Sequence, residues 1–187
     1  MKDWTLAIPQ IRLLAILSLV ALNRANGQAS SSWKVTSPYP NNPLRQALLQ
    51  GKASHAELST KAELQLECRP DAEGPRLNLV SLPSQVKFDA DPFEGPGGLG
   101  ERIKLRVTLA NTTWFHNFSG FYVDNKSFVF SFPLSDAEAK AAANASAQLI
   151  TIVVNPARKG DPLVFRFDLP PASDTVRSMI TPCLNKR

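Results

Sequence analysis

Cysteine is nearly absent from this chain. Only Cys68 and Cys183 occur among 187 residues, and histidine is as scarce, at His55 and His116. Neither cysteine has a second Cys or a His at ligand spacing, which excludes zinc-finger-like sites. There is no Cys-x-x-Cys, which argues against a catalytic thiol. The two histidines have no Ser–Asp or Cys arrangement that the sequence links to them, and the acidic residues are dispersed over expected solvent faces and loops. No catalytic residue, metal ligand or cofactor site is therefore assigned.

Long apolar runs are also missing. Only Leu13–Leu22 is continuous, apolar except for Ser18. Ten helical residues reach about 15 Å, against a hydrocarbon core of about 30 Å, so a retained transmembrane anchor is disfavoured. Lys2 and Arg12 precede or open the run, and small and polar residues follow it at 23–29. This three-part pattern is that of a secretory signal peptide over residues 1–29, cleaved after Gly27 or Ala29. Lys2, Arg12 and Arg24 against Asp3 give that segment +2, which leaves +3 of the chain's +5 for the exported part. A surplus that small, with no dense basic cluster, excludes nucleic acid as the expected partner. The expected address is periplasmic or secreted, with no stable membrane insertion after cleavage.

In an exported chain, two cysteines favour a Cys68–Cys183 disulfide. Between them run short β-prone segments. Ala62–Cys68 alternates apolar and polar residues, and Arg76–Leu82 follows it as the partner of a long-looped hairpin. Gln85–Asp89 reads as a short further strand. In Arg102–Leu109, Ile103, Leu105, Val107 and Leu109 point one way and Arg102, Lys104, Arg106 and Thr108 the other. Phe128, Phe130 and Phe132 form an inward stripe. Gln148–Val154 and Leu163–Leu169 complete the strands. Ser135 and Glu138 fit a capping box for a helix to Ala147, and Ser173 stands before a short helix at Asp174–Ile180. The fold class this predicts is mainly β: an antiparallel β-sandwich with one or two short helices and one disulfide. Residues 61–187 form that domain. Residues 30–60 are an N-terminal arm with a candidate first strand at Trp33–Val35, and 44–50 reads as a brief helix or another strand.

Asp91–Gly100 is rich in Gly and Pro. No Lys-Ser/Thr follows it and a strand comes next, so it reads as a solvated loop rather than a phosphate loop; Asp89, Asp91 and Glu94 lack EF-hand spacing for calcium. Asn111, Asn117, Asn125 and Asn144 head Asn-x-Ser/Thr sequons, glycan acceptors in a eukaryotic secretory pathway. The candidate partner surface is Arg102, Lys104 and Arg106. The alternative for these three is cross-strand pairing with Glu63 and Glu67.

Trp33-Lys34-Val35, the cysteine-closed strand Leu64–Cys68, and Phe165–Leu169 followed by a short helix and Cys183 make a pattern. It resembles small bacterial periplasmic β-sandwich proteins of the type VI secretion accessory kind. The best-known sandwich proteins of those loci carry an acylated cysteine just after the signal, where this chain has none. The resemblance implies an exported, non-enzymatic binding or accessory protein of the bacterial envelope whose partner is another envelope or secreted protein. The alternative is an inhibitor or immunity-type protein that blocks a secreted hydrolase with Asn111–Asp124 or Asp91–Gly100 as its loop. A hydrolase assembled across loops, using His116, Asp124 and a serine, is a third reading.

Overall fold

The computed structural model describes residues 32–71, 74–124, 126–145, 148–171 and 173–185; the expected signal segment lies outside them. Its strands are β1 (Lys34–Thr36), β2 (Arg45–His55), β3 (Leu58–Cys68), β4 (Arg76–Ser81), β5 (Leu105–Leu109), β6 (Thr112–His116), β7 (Ser119–Tyr122), β8 (Phe128–Pro133), β9 (Leu149–Val154) and β10 (Leu163–Asp168). Its helices are α1 (Asp136–Asn144) and α2 (Asp174–Ile180). All ten strands belong to one sheet, ordered β6-β5-β9-β10-β2-β3-β4-β8-β7, with β1 beside β2. Every strand pairing is antiparallel.

The expectation of two facing sheets needs correction: the sheet is a single curled half-barrel. The cause is local. β6 and β7 stand at opposite ends of the strand order, yet only Asn117 and Phe118 separate them. The three Cα steps from His116 to Ser119 reach at most about 11 Å, so the sheet's ends must approach each other. Phe118 is buried at this junction, and its N–H donates to the Gly100 carbonyl.

The concave side holds the core. Phe128, Phe130 and Phe132 of β8 and Phe165 and Phe167 of β10 are almost wholly buried, with Leu49, Leu64, Leu66, Leu77 and Leu79 from the middle strands. Each such side chain contributes roughly 1.5–3 kcal/mol of burial before ordering entropy is subtracted. The rings of Phe130 and Phe165 lie 5.7 Å apart, which joins the two aromatic stripes.

The segment expected as an arm contains β2, the middle strand of the order, and the expected boundary at residue 61 falls inside β3. The small inward residues Ala47, Gly51 and Ala53 hide this strand from a hydropathy reading. Gly51 is small for a reason: a Cβ there would lie 2.2 Å from the Phe167 ring and 2.4 Å from the Arg166 carbonyl oxygen. At this point the edge of β2 changes neighbours, from β1 at Gln46–Leu48 to β10 at Lys52–Ser54.

Other segments also depart from their expected form. Gln85–Asp89 is not a strand. Pro83, with φ fixed and no N–H, opens a 3₁₀ turn at Pro83–Val86, and Lys87 ends it at φ 57°. Arg102 and Ile103 belong to a turn, both donating to the Leu99 carbonyl, so the strand begins at Leu105. Asp91–Gly100 is no plain solvated loop. Phe93 within it is fully buried and packs on Phe88, Phe118 and Phe130.

Both helices form where capping and periodicity place them. The Ser135 hydroxyl accepts the Glu138 N–H, and Glu138 accepts the Ser135 N–H at 2.7 Å. Helix α1 ends at Asn144, three residues before the expected Ala147. Helix α2 matches its expected bounds, although Ser173 makes no side-chain cap bond. Val176, Met179 and Ile180 pack α2 down onto β2 and β3. Cys183 thereby reaches Cys68 at the end of β3, and the two are disulfide-bonded with Cα atoms 5.7 Å apart.

Two stability outcomes follow. Replacing Cys68 and Cys183 together by serine lowers stability by about 4–5 kcal/mol on the chain-entropy model of a long closed loop, read as a drop in the urea midpoint at constant slope. Gly51→Ala forces the Phe167 ring aside and costs about 2–3 kcal/mol. An unchanged melting temperature for Gly51→Ala would contradict the packing of β2 on β10.

Candidate functional site

Antiparallel pairing puts cross-strand partners on one face about 5 Å apart at Cβ. On the convex, solvent face, Arg166 of β10 stands opposite Lys52 of β2, and Lys52 stands opposite Lys61 of β3. All three are exposed. Among the described residues, none has a carboxylate within ion-pairing distance; the ion pairs are Arg69–Asp71 and Arg177–Asp174, and His116 lies beside Glu138. The same row continues as Thr151, Thr108 and Thr113, with no acid in it. The next row places Arg106 beside Val153, Val164, Ser54 and Ser59. Carboxylates on this face begin in the adjacent row, with Asp168 opposite Leu149 and Glu63 opposite Gln50, and continue beyond it with Glu67 opposite Gln46. Glu63 is further occupied by the amides of Gln50 and Gln65. The convex face is thus segregated by charge. Like charges directly opposite on neighbouring strands cost stability, so three in a line are a feature that folding alone does not favour.

A cavity of about 550 Å³ opens at the Lys61 end of this row, lined by Lys52, Ser59, Thr60, Lys61, Leu82 and Gln85. Its origin is topological. β4 pairs with β3 only as far as Ser81 opposite Ala62, then Pro83 turns the chain away. Ser59–Lys61 therefore have no strand on that side. The departing turn is pinned from behind, where Thr60 Oγ1 donates to Gln85 Oε1 at 2.5 Å and His55 Nδ1 lies 3.0 Å from the Val86 carbonyl.

Of the residues singled out in the sequence, Arg106 and Lys104 lie on the exposed side at and just before β5, while Arg102 is in the preceding turn. Their proposed acidic partners are elsewhere. Glu63 and Glu67 are on β3, and β5 neighbours only β6 and β9. That pairing is corrected: the strand order separates the two sets. Lys52, Lys61 and Arg166 went unnoticed because they lie on strands far apart in sequence. No local signal marks them; each is one polar residue on an alternating strand.

His116 does not meet Asp124. Its Nε2 lies 2.9 Å from Glu138 Oε1, without the in-line geometry of a hydrogen bond, and its ring stacks on Phe132 at 5.0 Å. The other Glu138 oxygen serves the Ser135 cap. These groups tie the end of β6 to α1 and β8 in a nearly buried position. Asp124 accepts the backbone N–H groups of Lys126 and Ser127, and these bonds hold its carboxyl below the usual carboxylate range. Among the described residues no metal-binding group of three or more His, Cys, Asp or Glu gathers. Of the sequons, Asn111, Asn117 and Asn144 are exposed and Asn125 lies outside the described residues; Asn117 Nδ2 donates to the Glu101 carbonyl.

Comparison with family models, curated proteins and solved structures finds no match.

Tyr122 yields a pH prediction. Burial and its hydrogen bond to Asp91 at 2.7 Å push its phenol from 10.0 up to about 12. Folding favours the neutral phenol, so this contribution is complete below pH 10 and is lost as pH rises from about 10 to 12. Chemical denaturation across that window is expected to weaken the wild type more steeply than Tyr122→Phe. The ultraviolet difference spectrum isolates Tyr122, since the variant retains only Tyr39. A phenol that titrates at its ordinary value would refute the Asp91 contact.

Proposed function

We propose that this protein is an exported, non-enzymatic binding or accessory protein of the bacterial envelope, associated with secretion, which docks a partner on the convex face of its sheet. The observation that carries this reading is the unbroken row Arg166–Lys52–Lys61. Among the described residues these three neighbouring cations have no carboxylate within ion-pairing distance, which leaves a site whose electrostatics a ligand completes. The Cys68–Cys183 bond is compatible with an oxidising compartment, periplasmic or extracellular, and the type VI accessory resemblance points to the same place.

The inhibitor reading is less well supported. It requires a protruding loop at 111–124 or 91–100. The first is mostly β6 and β7, joined through buried Phe118, and the second is held to β7 by the Gly95 N–H to Gly120 carbonyl bond. Both segments are fixed to the body of the fold.

Export is tested by non-reducing mass spectrometry of the protein recovered from its native source. The expected product lacks the first 27 or 29 residues of the sequence and is two hydrogens lighter than the dithiol. An intact N-terminus with both thiols free would sink the reading. For docking, in-cell crosslinking with the wild type is compared with Lys52→Glu combined with Arg166→Glu. Loss of the crosslinked species in the variant is expected; unchanged crosslinks would move the partner surface off this face.

A further inference from the structure

We infer that the cavity at the edge of β3 binds a phosphorylated sugar unit, with Lys52 and Lys61 holding the phosphate. The inference rests on the reading of the convex face as the docking surface and names the ligand chemistry that its cavity fits.

Three features converge. Lys52 and Lys61 line the cavity from directly paired positions on adjacent strands, which puts two ammonium groups within reach of one anion of more than a single charge. Arg166 stands next in the row on the far side of Lys52, outside the cavity lining, and adds positive charge to the neighbourhood. The backbone of Ser59–Lys61 has lost its strand neighbour where β4 ends, so polar main-chain groups border the cavity as well. An unpaired strand edge beside two lysines is a donor-rich environment for an oxyanion.

The remaining lining identifies the rest of the ligand. The site is a largely open cleft, and its volume of about 550 Å³ is far more than one phosphate fills. Ser59 is exposed and offers a hydroxyl. Gln85 spends its Oε1 on Thr60, which leaves its amide N–H₂ to donate outward. Leu82 supplies an apolar surface. Hydroxyl, amide and one aliphatic side chain match the hydroxyls and C–H faces of a sugar. They do not match an acidic peptide, which would need an extended groove. The nearest carboxylate row, with Glu63 and Asp168, lies two residues along the strands and does not line the cavity.

The test is titration of the purified, disulfide-bonded protein with mannose 6-phosphate, mannose and inorganic phosphate, followed by amide chemical shifts and calorimetry. The sugar phosphate is expected to shift the amides of residues 59–61 and 85 and to bind at least tenfold tighter than either part alone. Lys52→Gln combined with Lys61→Gln is expected to weaken it at least tenfold, with Lys140→Gln on α1 as the exposed control within twofold. Matching melting temperatures confirm that the double variant is folded. Equal affinity in wild type and double variant overturns the site. Equal affinity for inorganic phosphate and sugar phosphate overturns the sugar assignment, as does binding of polyglutamate at the same amides in preference to mannose 6-phosphate. If the sugar phosphate fails while Lys52→Glu with Arg166→Glu still abolishes crosslinking in cells, the ligand class falls and the docking face stands.

Discussion

The two-residue passage from β6 to β7 is the constraint on which the rest of the fold depends. The strand path is nine strands wide, and Asn117 and Phe118 must bridge its ends. A flat sheet of that width would separate its edges by roughly 40 Å at about 4.8 Å per strand, so curling is obligatory. Curling creates a concave interior, and the interior must be filled. Five phenylalanines from β8 and β10 do most of this, and Phe93 enters from a 3₁₀ turn to reach what the strands leave open. The same curvature turns every second residue of the middle strands outward onto one continuous convex surface.

Sequence periodicity revealed the elements whose two faces differ sharply. β3, β9 and β10 alternate cleanly, the Ser135–Glu138 box marks the start of α1, and two cysteines admit a single intramolecular pairing. What stayed hidden has a physical reason in each case. β2 buries alanines and a glycine, and at Gly51 the Phe167 ring takes the space a side chain would need. Its inward face therefore looks weakly apolar although it is the middle of the sheet. Pro83 was the overlooked signal at Gln85–Asp89: a ring that removes an N–H and sets φ makes a turn there more natural than a strand. The curl was illegible because it depends on which strands pair, and pairing partners are distant along the chain.

The candidate site was legible only in part. Arg106 and Lys104 stood out because they alternate along one strand. Arg166, Lys52 and Lys61 align across strands, and a single sequence carries no record of register. The reverse holds for His116. It drew attention as one of two histidines, yet its surroundings are those of a structural group. Glu138 closes the cap of α1 with one oxygen and meets the imidazole with the other, and Phe132 covers the ring. A serine, a carboxylate and an imidazole are adjacent here, but the carboxylate stands between the other two. A Ser–His relay needs the imidazole to receive the serine proton, and this order does not allow it.

The basic row raises a question of energy that the scaffold answers. Each like-charge pair on adjacent strands costs on the order of 0.2–1 kcal/mol, and the row contains two such pairs. The loss is small beside the roughly 4–5 kcal/mol that a cross-link of this loop length contributes. That bond acts at the far end of β3, seven residues from Lys61, and offsets the loss through the stability of the whole fold. β2 and β3, which carry Lys52 and Lys61, also share eleven consecutive paired positions, the longest register in the sheet. Mutual repulsion of the side chains is therefore met by the stiffest part of the molecule. The cations cannot relax by sliding the strands, because a one-residue slip would turn Leu49, Leu64 and Leu66 out of the core. They stay aligned, spaced by the sheet's own repeat, and present their charge to solution.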